Sequence, residues 1–152
     1  MKLIFGAVII GLTVVIHAVV CDCTLRIVDK KGEEGARRLG QLRTILTLIT
    51  AVFFIGSAIM ADIWLWSFAF AYLDPQNVKN TEDSLYFATV TFTTVGYGDI
   101  VLSEKWRILA GTCAINGMII FGWSTAFIFE IMAKLYQSGR IYGKKSAHKE
   151  TP

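Results

Sequence analysis

Eighteen consecutive residues, Leu3 to Val20, carry no formal charge, and two further apolar stretches follow. One runs from Thr44 to Leu73 and is interrupted only by Asp62; the other runs from about Trp106 to Tyr136, with Arg107 at its start and Glu130 and Lys134 near its end. A helix crosses the hydrocarbon of a bilayer in about 20 residues at about 1.5 Å each. The first stretch just spans, and the other two tilt or extend beyond it. A buried core helix is the alternative for such blocks, and their length disfavours it. Composition agrees: 54% of residues are hydrophobic and 18% charged, against about 25% charged in a soluble domain. These figures exclude a disordered chain, a collagen-like chain and a disulfide scaffold, and they argue against a soluble enzyme. A net charge of +3 is too small and too dispersed for a nucleic-acid partner. Cys21, Cys23 and Cys113 form no zinc or disulfide framework.

Charge sets the direction of the spans. Arg26, Lys30, Lys31, Arg37, Arg38 and Arg43 fall between the first and second stretches, and Arg140, Lys144, Lys145 and Lys149 follow the third. Only Lys79 and Lys105 precede Arg107 in the remaining connection. The positive-inside rule puts the first connection and the C-terminus in the cytoplasm, and the N-terminus and residues 74–105 outside. Lys2, the apolar run and Cys21 also fit a cleaved secretory or lipoprotein signal. Cleavage would put the basic segment outside, and Val20 is large for a cleavage site, so a retained helix is expected. The expected layout is an N-terminal transmembrane helix at 1–21, a basic cytoplasmic loop at 22–43, a unit at 44–136 and a cytoplasmic tail at 137–152. The basic loop reads as a solvated segment obeying the charge rule, with contact to anionic lipid as the sharper alternative.

The connection between the second and third stretches holds the most information. Asp74-Pro75 signals a turn. Thr81 or Asp83 can cap a helix, and Glu82 and Asp83 suit its positive N-terminal end. A helix over 82–93 is too short to cross a bilayer and long enough to enter one halfway. The Thr93-Thr94-Val95-Gly96-Tyr97-Gly98-Asp99 run comes next. Irregular backbone at membrane depth is tolerated only beside protein or water, so residues 94–98 are expected to line an aqueous path.

That seven-residue run resembles the selectivity-filter signature of potassium channels. The resemblance covers about Thr44 to Lys134: outer helix 44–73, pore helix 82–93, filter 94–98 and inner helix 105–136. With one helix ahead of this unit, the chain resembles small bacterial ion-channel proteins of two-helix pore type. The implied fold is an all-α membrane protein of three transmembrane helices plus a re-entrant half-helix and filter loop, set in the cell (inner) membrane. The implied function is passive, potassium-selective conduction, with no enzyme reaction, no cofactor and no small-molecule substrate. Potassium, the permeant ion, would lie among the carbonyls of Thr94, Val95, Gly96 and Tyr97, with the Thr94 hydroxyl completing the innermost site. Gly96 and Gly98 reach positive φ without a Cβ penalty. Val95 and Tyr97 side chains would turn away and pack on the pore helix, and Asp99 would ring the outer mouth. One chain supplies one wall, so the resemblance implies a homotetramer in the lipid bilayer.

Secondary features are read on the same alignment. Tyr86 and Phe87 stand where many potassium channels carry bracing tryptophans, and Phe87 has no donor. Thr91 and Thr93 join them as support for the filter, and Tyr86 is expected to bond Asp99. Gly117 falls at the usual hinge position, with Gly122 after it; close packing of small residues is the competing reading for both. Phe121 and Thr125 would line a cavity, and Phe129 and Ala133 a constriction, at helical spacing. Asn116 suits an interhelical hydrogen bond. Asp62 divides between a solvated interfacial acid and a brace for the pore helix, and His17 reads as structural or solvated. Trp64, Trp66, Tyr72, Tyr86 and Trp106 read as an aromatic belt. No span carries arginines at every third position, which argues against a voltage sensor, and the tail is short for a ligand-binding domain. Two rivals remain: a poorly selective cation channel of the same architecture, and a non-conducting partner subunit.

Overall fold

A computed structural model describes residues 2–34 and 40–147, with side-chain surroundings for most of residues 2–135. Four helices follow in order: α1 (Lys2–Glu34), α2 (Gly40–Leu73), α3 (Thr81–Phe92) and α4 (Arg107–Ala147). Among the described residues there is no strand. Three segments are long and apolar enough to cross a membrane: Lys2–Val28, Ile45–Leu73 and Arg107–Leu135. The protein is an all-helical membrane protein.

Helix α2 ends at Leu73 as expected and α3 falls within one residue of 82–93, but the helix ends in the basic segments depart from expectation. The basic segment expected as a loop at 22–43 continues α1 through Glu34, and α2 already begins at Gly40. Residues 22–34 contain no proline and only Gly32, while Arg26 Nε donates to Asp22 Oδ2 at 2.7 Å one turn back. Charge ends a membrane span without ending a helix. Likewise α4 begins at Arg107 rather than 105 and runs through residues 137–147, which were expected as tail. Gly35, Arg37, Arg38 and residues 148–152 lie outside the described residues.

Helices α2 and α4 pack on each other; α1 packs against both, α3 packs against both, and α1 and α3 do not meet. The core divides into two apolar clusters. One gathers Ile9, Ile63, Trp66, Phe70, Phe87, Phe92, Leu109, Cys113 and Ile120 around α3. The other gathers Cys21, Ala51, Ile55, Phe127 and Ile131. In hydrocarbon these contacts gain from van der Waals fit, because lipid tails are as apolar as leucine. Trp66, fully buried beside Phe70 at 5.5 Å between ring centres, belongs to this core and not to an aromatic belt. Tyr72, in contrast, is 83% exposed.

Asp74 shapes the connection after α2. It is buried, its Oδ2 accepts from the Ser103 backbone N–H at 2.7 Å, and both its oxygens accept from Asn77 Nδ2 at 3.1–3.2 Å. It thereby ties the start of the 74–105 connection to its end. Burial raises the Asp74 carboxyl, but the Ser103 and Asn77 donors outweigh it and hold the group below its ordinary value. Such a carboxylate adds stability above the ordinary value of about 3.9, and that stability is lost as pH falls through the lower folded value. Asp74→Ala is therefore expected to destabilise the folded protein by about 1.5–3 kcal/mol, the usual range for hydrogen bonds to a charged group. It should also flatten the acid limb of stability below about pH 4. Thermal melts in detergent across a pH series check both; overlapping curves for the two proteins would refute them.

Candidate functional site

The site is built on α3 and the backbone that leaves it. Asn80, not Thr81 or Asp83, caps α3: its side chain accepts from the Asp83 backbone N–H at 2.7 Å, with Glu82 and Asp83 in the first turn. The extended backbone of Asn80 turns the chain into the helix. Helix α3 has 12 residues, about 18 Å, or little more than half of a bilayer's hydrocarbon. Phe87 meets Phe70 edge-on at 4.9 Å and fixes α3 to α2. Ser84 donates to the Thr81 carbonyl at 2.9 Å and sits 2.9 Å from Ser67 Oγ, a second tie between the same helices.

Past Phe92 the chain leaves the helix without abandoning its polar groups. The Thr93 N–H and hydroxyl both donate to the Thr89 carbonyl, at 3.0 and 2.7 Å. The Thr94 N–H donates to the Thr91 carbonyl and the Gly96 N–H to the Val90 carbonyl, each at 3.0 Å. Positive φ then recurs at every second residue: Thr94 at 63°, Gly96 at 52° and Gly98 at 81°. Alternating hand turns successive carbonyls toward one side of the strand, where an ordinary extended strand would alternate them. The two glycines adopt this freely, and Thr94 accepts a cost of about 1–2 kcal/mol. The Thr94 conformation is the one member of the pattern that residue type did not announce.

Asp99 is exposed, and its Oδ2 accepts from the Tyr86 hydroxyl at 2.7 Å, the pairing expected from the sequence. That bond holds the Asp99 carboxyl below its ordinary range and raises the Tyr86 phenol. Val95 is 53% exposed and Tyr97 73%, so their expected packing against the pore helix is absent within one chain. Most of each side chain projects from the single chain into open space rather than onto α3. Thr91, half-buried, contributes its carbonyl to that turn.

Helix α4 reaches this segment at Gly117. A Cβ placed there would overlap the backbone carbonyl of Phe92, so Gly117 lets α4 lie directly against the C-terminal end of α3. Gly122 has open space where a Cβ would go. Phe121, Thr125, Phe129 and Ala133 are all exposed in the single chain, Phe129 at 71%, as one stripe of α4. Phe121 also touches Phe92, with ring centres 6.0 Å apart. Glu130 and Lys134 pair at 3.6 Å, one turn apart.

Sequence reasoning underrated a layer of buried polar residues between the two apolar clusters. Asn116 Nδ2 donates to Thr13 Oγ1 at 2.9 Å, which gives Asn116 its interhelical partner, while the Thr13 hydroxyl donates to the Ile10 carbonyl at 2.8 Å. His17 Nε2 lies 3.1 Å from Ser124 Oγ, and His17 Nδ1 lies 3.7 Å from Asp62 Oδ2. Asp62, fully buried, is therefore neither a solvated interfacial acid nor a brace for α3. It faces α1, where His17 Nδ1 is its nearest charged-group neighbour at 3.7 Å. Its position in the membrane-spanning stretch was the available signal; its partner, 45 residues earlier, was not.

A family model described as Ion channel matches residues 42–134. The chain is 29% identical over 131 residues to the potassium voltage-gated channel subfamily A member 5 of Oryctolagus cuniculus, covering 84% of this chain and 20% of that protein. It is 51% identical over 41 residues to two-pore potassium channel 1 of Arabidopsis thaliana, 26% of this chain and 11% of that one. It is 40% identical over 55 residues to a protein of Rattus norvegicus named delayed-rectifier potassium channel regulatory subunit KCNS3, 34% of this chain and 11% of that one. The chain thus spans a fifth or less of the length of these relatives. No solved structure matches it.

Two outcomes follow from the geometry. In Tyr86→Phe, Asp99 should titrate at higher pH than in the parent, nearer the ordinary carboxylate value, as read by carboxyl carbon shifts in aspartate-labelled protein. An unmoved Asp99 would mean the bond does not hold it. Gly117→Ala should destabilise the fold far more than Gly122→Ala, because only the first Cβ meets backbone; equal melting points in detergent would contradict the contact.

Proposed function

The chain belongs to the ion channel family, and from that premise we propose that four copies assemble around one axis as a potassium-selective, passive pore. The observation that carries this is the alternation of left-handed backbone at Thr94, Gly96 and Gly98 inside the Thr-Thr-Val-Gly-Tyr-Gly-Asp run. A potassium ion must exchange its water for ligands of similar strength. Neutral carbonyl dipoles bind strongly enough to replace water and weakly enough to release the ion. Thr94, Val95, Gly96 and Tyr97 would supply these carbonyls from each copy, with the Thr94 hydroxyl innermost and Gly98 completing the turn outward. The strand offers one wall, and Val95 and Tyr97, bare in the single chain, would gain their cover from neighbouring copies. Closed cyclic symmetry would supply the other walls.

Supporting parts take roles consistent with this. Helix α3 would aim its negative C-terminal end at the cavity below the filter, favouring a cation there. Asp99, braced by Tyr86, would place negative charge at the outer mouth. The exposed stripe of Phe121, Thr125, Phe129 and Ala133 would face the conduction path, with four Phe129 rings as its narrowest apolar point. Bending at Gly117 and Gly122 would move that stripe. The filter end would face outward and the basic ends of the helices the cytoplasm, following the charge asymmetry.

A second reading has one specific support, the relative named as a regulatory subunit: the chain would then join a mixed tetramer and not conduct alone. Purified protein in liposomes under a potassium gradient separates these. The expected result is potassium efflux, sodium flux at the empty-liposome level and a fourfold mass in detergent. Gly98→Ala, strained at φ 81° by about 1–2 kcal/mol per copy, should keep the mass and lose most of the flux. Equal sodium and potassium flux, or no flux from the pure tetramer, would overturn the proposal.

A further inference from the structure

The buried contacts of α1 bracket two of the glycines of α4, Gly117 and Gly122. On α1, Thr13 reaches Asn116 and His17 reaches Ser124, and Gly117 and Gly122 lie between those two points of α4. All four polar side chains are buried, as is Asp62. Hydrogen-bond accounting then constrains the protons. Ser124 has one hydroxyl hydrogen, and the shorter contact, 2.7 Å to the Ile120 carbonyl, takes it. Ser124 Oγ is left to accept, so His17 Nε2 at 3.1 Å is the donor. His17 Nδ1 therefore faces Asp62 Oδ2 at 3.7 Å, and neither atom has a hydrogen-bond partner among the described residues. A bare nitrogen lone pair opposite a carboxylate, both out of water, is strongly unfavourable. One further proton, on either group, turns the pair into an imidazolium–carboxylate or a neutral acid–imidazole pair.

The geometry points to a buried proton-binding site at His17 and Asp62 whose occupancy latches α1 onto α4 and restrains bending between Asn116 and Ser124. This rests on α4 lining the pore. With the proton bound, the pair is neutral overall and both rungs hold. Raising the pH removes the proton, leaves an uncompensated buried carboxylate beside the imidazole lone pair, and loosens α1, so conduction rises. The other titratable groups facing this layer are few. Cys21 lies one turn along α1 and Cys113 lies on α4, both buried. On α2 Asp62 is the buried acid, and on α4 Glu130 and Lys134 pair with each other further along. Helix α3 does not touch α1, and its acids Glu82 and Asp83 sit in its first turn.

The test has a structural arm and a flux arm. His17 and His148 are the two histidines, so His148→Gln protein labelled with nitrogen-15 histidine reports one imidazole in liposomes. The expected result is hydrogen at Nε2 throughout and loss of one proton from the pair on raising the pH. In Asp62→Asn, whose amide can donate to Nδ1, the imidazole should stay neutral with hydrogen at Nε2. Potassium flux in the parent should rise about tenfold across the same titration, a usual size for coupling between two sites. Asp62→Asn should remain at the low level at every pH, and Ser124→Ala, which removes a rung, should start at the high level in acid. An imidazole carrying hydrogen only at Nδ1, or a pH step that survives Asp62→Asn, overturns the site. Absence of flux from every variant would instead refute the pore, and the nitrogen shifts would then decide the proton site alone.

Discussion

A backbone that leaves its helix inside hydrocarbon must still find partners for its N–H and C=O groups, and the rest of this molecule is arranged around the one place where that happens. Helix α3 stops at Phe92, and the next residues bond backward to the carbonyls of Thr89, Val90 and Thr91. Those donors are thereby satisfied within the same chain, while alternating φ at Thr94, Gly96 and Gly98 turns the carbonyls toward one side. Groups collected in this way need a polar object to face. Cations that have shed water in a shared pore would provide one.

The packing follows from that segment. Gly117 exists at the one point where α4 meets the Phe92 carbonyl, so the end of α3 is held by backbone contact with no side chain between. Phe87 on Phe70 and Ser84 beside Ser67 hold the other side of α3 to α2. Asp74 closes the connection by accepting from the Ser103 backbone N–H. The segment after α3 is therefore anchored through α3 and its connection, while Val95, Tyr97 and the Phe121–Ala133 stripe remain uncovered. An element held firmly on one side and bare on the other is suited to assembly of like copies.

Helix α1 contributes in a different currency. Its apolar faces gain little from leaving lipid for protein, so its register on α4 is carried by Gly6 against Thr112, Thr13 on Asn116 and His17 on Ser124. Directional bonds fix depth and rotation where apolar contact alone would permit sliding. Asp62 then adds a buried acid to this layer, at the boundary of the two apolar clusters.

The sequence by itself determined the three spans, the half-helix and the irregular segment Thr93–Asp99, because apolar length, glycine placement and turn residues are local properties. Tyr86 with Asp99 was legible for the same reason: both lie within a short connection whose geometry the half-helix largely dictates. Whereas α2 ends at Leu73 as expected, the C-terminal ends of α1 and α4 were not legible, since hydropathy marks where lipid stops and these helices continue past it. Neither was the left-handed turn at Thr94, which neighbouring bonds impose on a residue that resists it. Gly117 read equally as hinge or contact until Phe92 was placed beside it. His17, Asp62 and Ser124 lie far apart in the chain, and only the tertiary packing of α1, α2 and α4 decided that they meet, because a buried polar group takes whichever partner the fold brings to its depth.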